Sequence, residues 1–113
     1  MADDHVLVAR SRSSREIRLT GKIWRKIETQ HPEFRARKDY LDEIRNAIEE
    51  PDYVVRGWGE GQMALRWCEI APARPKFLCV VYREVDGDGF VITAFFVSRH
   101  ERLLKRGVLW QRS

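Results

Sequence analysis

Cysteine is scarce in this chain of 113 residues: only Cys68 and Cys79 occur, eleven positions apart, with no Cys-x-x-Cys spacing and no histidine clustered beside either. That pattern argues against a disulfide framework and a thiolate zinc site, and it leaves two free, buried thiols in a reducing compartment. Long hydrophobic runs are missing as well. No apolar stretch approaches the roughly 20 residues of a spanning helix, and the N-terminus lacks the apolar core of a signal peptide. Internal repeats and low-complexity tracts are also missing. The expectation is a soluble cytoplasmic protein with no membrane, metal or cofactor partner.

What the chain does have is the material for one core. Its hydrophobic share is 43%, including four Trp, five Phe and three Tyr, too much apolar surface for a disordered polypeptide. This length fits a single domain and leaves no room for a second core. Lys plus Arg exceed Asp plus Glu by 21 to 17, for a formal charge of +4 and an isoelectric point near 9.4. The excess tilts modestly toward a polyanionic partner.

Residues 1–16 are polar, with Ser11, Ser13 and Ser14 among arginines and Val6, Leu7 and Val8 as a lone apolar patch. They are expected to form a flexible arm or an edge strand, the arm being favoured; residues 17–113 are expected to form the single domain. Ile17-Arg18-Leu19 leads into Thr20, a hydroxyl residue suited to an N-cap, and Ile23, Trp24 and Ile27 share a helical face. The spacing predicts a first helix from Gly21 to Gln30, stopped by Pro32, with His31 presented at its last turn. A second helix, from Phe34 or Arg37 to Glu49, carries Phe34, Leu41, Ile44 and Ile48 on one stripe and ends at Pro51.

Beyond Pro51 the period falls to two. Tyr53 to Val55, Met63 to Ile70, Phe77 to Tyr82 and Phe90 to Val97 read as strands. The last two are joined across Asp86-Gly87-Asp88-Gly89 as a hairpin at the sheet's centre. Gly107 to Trp110 is a last strand or a chain end folded back. Trp24 and Trp67 fall on apolar stripes and belong to the core, whereas Trp58 and Trp110 have the positions of base-stacking rings. The predicted fold is α+β, with two N-terminal helices packed on one face of a four- to five-stranded antiparallel sheet.

Several of these segments together resemble a known group. Ile17-Arg18-Leu19-Thr20, Trp24 and Ile27, the triplet His31-Pro32-Glu33, a helix closing on Glu50-Pro51-Asp52 with Tyr53 and Val54, and the strand Phe90-Val91-Ile92-Thr93-Ala94-Phe95 carry the likeness. They are similar to the phage-associated nuclease-like families of the barnase, EndoU, colicin and RelE (BECR) fold, over about residues 17 to 110. The family pattern often has Tyr where Phe95 stands and a turn after it, whereas here Phe96-Val97 prolong the strand. The resemblance implies a metal-independent endoribonuclease, often used as a toxin, that drives the RNA 2′-hydroxyl onto the adjacent phosphate. A toxin of that kind has a cognate antitoxin or immunity protein as its partner.

Such a reaction needs a base for the 2′-hydroxyl, an acid for the leaving oxygen and cations for the charge growing on phosphorus. Imidazoles titrate near ~6.5 and serve either proton role at neutral pH, so His31 is the leading catalytic candidate. A helix-terminal cap explains the same residue as readily. Glu33 would orient the His31 ring without itself touching RNA, or simply complement the dipole of the helix it begins.

Thr93 interrupts an apolar strand and shares a face with Val91 and Phe95, opposite Phe90, Ile92, Ala94 and Phe96. If helices cover the latter face, the Thr93 hydroxyl is open to a phosphate or base, although β-propensity alone accounts for a threonine there. Arg99, His100, Arg102, Lys105 and Arg106 place five cations within eight positions. They suit a clamp on a phosphate backbone, with His100 as a second imidazole, and equally an ordinary solvated charge run. Arg66 and Arg83 are further phosphate-binding candidates.

The leading expectation is therefore an RNA-cleaving domain with His31, Thr93 and His100 as catalytic residues. Its rival keeps the fold and drops the reaction, as a non-catalytic RNA-binding or protein-interaction module using the same basic face. A regulatory partner protein is the third class.

Overall fold

Helix α1 (Gly21–Gln30) begins and ends at the residues its sequence signals mark. The Thr20 hydroxyl accepts from the Ile23 backbone N–H at 3.2 Å, one of the donors a helix start leaves unpaired. Pro32 then opens a 3₁₀ turn (Pro32–Ala36), and this turn, rather than the second helix, carries the buried Phe34. Helix α2 (Asp39–Glu49) follows with Tyr40, Ile44, Ala47 and Ile48 buried.

In the computed structural model, which describes residues 4–113, these helices lie on a larger sheet than the sequence suggests. Its strands are β1 (His5–Arg10), β2 (Glu16–Thr20), β3 (Tyr53–Arg56), β4 (Gly61–Cys68), β5 (Lys76–Val85), β6 (Asp88–Val97) and β7 (Val108–Gln111), in the order β1-β2-β6-β5-β4-β3-β7. The β5–β6 hairpin occupies the centre, and its loop residues Asp86 and Gly87 both have positive φ, at 51° and 87°, as a two-residue primed turn requires.

The expectation of two helices on one face of a four- to five-stranded antiparallel sheet is therefore corrected. The sheet has seven strands and is mixed, because β2 runs parallel to β6 through Ile17↔Gly89 and Arg18↔Phe90. A short third helix, α3 (Glu101–Leu104), is also present. The physical reason lies in two segments too short to announce themselves. Leu7 and Ala9 in β1, and Ile17 and Leu19 in β2, are buried beneath the helices while the residues between them point away. That is a period of two held for a single repeat in each strand, and pairing between the strands sustains it.

Both faces of the sheet carry a core. On one, Ile17, Leu19, Leu78, Val80, Ala94 and others pack against α1, α2 and the 3₁₀ turn. On the other, Val55, Met63, Leu65, Cys79 and Val81 form a second cluster against which Leu103 and Leu104 of α3 pack. Burial on both faces explains why the central strands read as nearly continuous apolar runs.

One irregularity sets which β6 residues face which way. Val81 pairs with Thr93 but Tyr82 pairs with Val91, so Ile92 is an extra residue in a β-bulge. Val91 consequently joins Ala94 in the helix-side core, while Phe95 packs on the second cluster. The strict alternation expected for Val91, Thr93 and Phe95 is broken at that bulge.

Candidate functional site

Only Ile17 and Arg18 of β2 pair with β6, so the C-terminal half of β6 has one unpaired edge. The end of α1 lies against it. The imidazole of His31, which caps α1 with its backbone N–H to the Ile27 carbonyl at 2.8 Å, sits between Phe34 on the helix side and Phe95 on the opposite face, at ring-centroid distances of 6.5 and 6.1 Å. Its ring is half-buried and has no hydrogen-bond partner among the described residues. Glu33, the residue expected to orient it, makes no hydrogen bond to it.

The oriented imidazole is His100 instead. It stacks on Phe77 at 4.1 Å, faces Tyr53 at 5.9 Å, and has Nδ1 at 2.9 Å from Glu101 Oε2. Phe77 and Phe95 lie on adjacent strands and on the same face, since Phe77 pairs with Val97 and Cys79 with Phe95. Thr93, half-buried, precedes Phe95 by two residues on that face. His31, Thr93 and His100 thus border one aromatic surface, but no hydrogen bond joins any two of them among the described residues.

The arginines divide by role. Arg66 is half-buried and donates to the Glu50 carbonyl at 2.6 Å, at the C-terminus of α2. Arg83 is paired with Glu60 at 2.9 Å. Arg106 donates to the carbonyls of Arg56 and Gly57 and lies over the Trp58 ring at 4.4 Å. Arg99, Arg102 and Lys105 are exposed and make no ion pair among the described residues, which leaves their charge to solvent or a ligand.

Two tryptophans with base-stacking positions are already faced by arginines, Trp58 by Arg106 and Trp110 by Arg12 at 4.3 Å. Trp67, expected in the core, is 45% exposed and packs edge-on against Phe77 at 5.3 Å. The β4 alternation does place it on the second face, at the C-terminal end of β4.

A further feature escaped the sequence because it is assembled from four strands. Val8 pairs with Arg18, Arg18 with Phe90, and Phe90 with Arg83, which makes one cross-strand row on the face away from the helices. Phe90 is 45% exposed in that row and Ile92 beside it 41%. Arg18 donates to Asp88 Oδ1 at 2.7 Å, and that hydrogen bond, with the carboxylate charge, holds its guanidinium more firmly protonated.

The thiols are not nucleophile candidates. Burial pushes both Cys68 and Cys79 up to about 12, so the thiolate form is suppressed. Among the described residues no group of three or more His, Cys, Asp or Glu side chains is arranged to hold a metal, and no helix is long and apolar enough to cross a membrane. No family model matches this chain, and no curated protein or solved structure matches it.

Proposed function

We propose that this chain is a metal-independent RNA-cleaving domain in which His31 and His100 share the proton transfers. The observation that carries this reading is the pair of imidazoles bordering one sheet face, His31 against Phe95 of β6 and His100 against Phe77 of β5, with Thr93 two residues before Phe95 on β6. One imidazole takes the 2′-hydroxyl proton, the freed oxygen attacks phosphorus, and the bond to the 5′-oxygen breaks as the other imidazole protonates it. Glu101 Oε2 lies 2.9 Å from Nδ1 of His100, and this reading assigns the proton transfer to Nε2. The Thr93 hydroxyl and the unpaired charges of Arg99, Arg102 and Lys105 supply the donors and cations that a phosphorane needs. A toxin of this kind acts with a cognate antitoxin or immunity protein.

The test is cleavage of a labelled RNA in the presence of a chelator. Wild-type protein is expected to leave 2′,3′-cyclic phosphate and 5′-hydroxyl ends, with His31→Ala and His100→Ala each slower by about 100-fold or more, the usual range for losing a general acid or base. Intact RNA with the wild type, or undiminished cleavage by both variants, removes the proposal. The row Val8, Arg18, Phe90 and Arg83, in which Phe90 faces solvent, favours a second reading, a non-catalytic RNA-binding module, because a solvent-facing aromatic flanked by arginines suits base stacking. Salt-sensitive RNA binding without cleavage, weakened by Phe90→Ala, selects it.

A further inference from the structure

A depression of about 230 Å³ opens between α1 and the stretch that leads from the 3₁₀ turn into α2. Its apolar lining is Trp24, Phe34 and Leu41, and its rim carries Arg35, Arg37 and Lys38 against the single carboxylate of Glu28. Arg37 is engaged by Asp39 at 3.0 Å, whereas the exposed Arg35 and Lys38 have no ion-pair partner among the described residues. Phe34 ties this pocket to the His31 edge, since its ring meets Trp24 at 5.9 Å and His31 at 6.5 Å, edge-on to both.

An apolar ligand would bury the aromatic lining but leave the cationic rim unanswered. A simple anion would answer the rim and leave the half-buried Trp24 and Leu41 open to water. A ligand with a flat π-face and a phosphate satisfies both, because bases stack on aromatic side chains and phosphates draw Arg and Lys.

We propose that this pocket holds one nucleotide, with its base against Trp24 and Leu41 and its phosphate toward Arg35 and Lys38. The inference rests on the RNA reading above, and in that setting the pocket holds a nucleotide neighbouring the one cut beside His31. A free 5′-mononucleotide offers the same chemistry from a different source.

The experiment follows the indole N–H resonances of the whole protein by NMR, with Trp24 assigned from the Trp24→Phe variant, during separate titrations with a non-cleavable 2′-O-methyl tetranucleotide and with AMP. A saturable shift of the Trp24 resonance is expected. The double variant Arg35→Ala/Lys38→Ala, which alters only exposed side chains, is expected to weaken binding about tenfold. It should also lower the salt slope of tetranucleotide binding by about 0.7, the value for one phosphate left unneutralised on a single strand. Saturation by AMP at concentrations similar to the tetranucleotide identifies a free nucleotide as the ligand, and saturation by the tetranucleotide alone identifies an RNA strand. No Trp24 shift with either probe, or unchanged affinity in the double variant, overturns the pocket. A Trp24 shift in a protein that leaves RNA intact supports the pocket while sinking only the cleavage reading; cleavage without the shift does the reverse.

Discussion

His31 ends α1 with its backbone and meets Phe95 with its ring, so its two halves answer different questions. The backbone bond to Ile27 is what any residue before Pro32 would make, and it accounts for the helix boundary without any chemistry. The ring accounts for nothing in the fold that a leucine would not do better, since it is half-buried between aromatics with its nitrogens unpaired among the described residues. His31→Leu is therefore expected to keep or raise stability while slowing any RNA cleavage by about 100-fold or more; a chemical denaturation curve beside the cleavage assay checks it, and a large drop in stability would make the ring structural.

The cysteines are the opposite case. Burial raises both thiols to about 12, above their ordinary value of 9.0, so the folded chain keeps protons that the unfolded chain gives up. That contribution is fully present below pH 9 and is lost as the pH climbs toward 12, at no more than about 1.4 kcal/mol per pH unit for each thiol. Urea midpoints measured from pH 7 to 11 are expected to fall more steeply for the wild type than for Cys68→Ala/Cys79→Ala, whatever the variant's baseline. Parallel slopes would refute the assignment.

Elements were legible where their period ran long enough. Helix α1, with its Thr20 cap and Pro32 stop, and the β5–β6 hairpin with its Asp-Gly turn each carried a local signal, and each forms as read. Strands β1 and β2 carried almost none, because two inward residues apiece cannot be told from a helix lead-in until a partner strand is present. The bulge at Ile92 was illegible for a related reason: nothing in Phe90-Val91-Ile92-Thr93-Ala94 marks which residue is supernumerary, and that residue decides which side chains share the surface with Thr93. The candidate site was legible only in part. His31, Thr93 and His100 stand out as residue types in an apolar or helical setting, but the Arg18–Phe90–Arg83 row exists only through pairing between distant strands.

The parallel seam that creates this row has a sequence requirement of its own. A Cβ at Gly89 would collide with Ile17 Cδ1 and stand 3.0 Å from the Glu16 carbonyl oxygen, so the close approach of β2 to β6 depends on glycine. Gly89→Ala is expected to cost ~1–3 kcal/mol as overpacking, read as a lower urea midpoint and faster amide exchange in β1 and β2. An unchanged midpoint would mean that the seam relaxes freely.

Across the whole molecule, strands β1 and β7 are the two edges of the sheet, with five strands between them, yet Arg12 just after β1 lies over the Trp110 ring in β7 at 4.3 Å. A flat sheet would hold those residues far apart, since neighbouring strands are ~4.8 Å apart. The sheet must therefore curl until its edges approach, around the end of α2 where Glu50 lies with Arg12 and Trp110 at one depression. Helix α2 itself packs on β1 as well as on β4 and β5, so it bridges the curl from inside. The guanidinium–indole contact then acts as a clasp between two edges that no backbone hydrogen bond joins, and it leaves the β7 edge less open to pairing with a second chain. If that is its role, Arg12 and Trp110 must be energetically coupled despite lying on opposite edges of the sheet. A double-mutant cycle with Arg12→Ala and Trp110→Ala is expected to give a coupling of about 0.5–1 kcal/mol, the value of a partly exposed cation–π contact. Each single variant should also speed amide exchange in both β1 and β7, although only one edge is altered. Additive losses, or exchange confined to the mutated edge, would show that the two edges open independently and that α2 alone holds the curl.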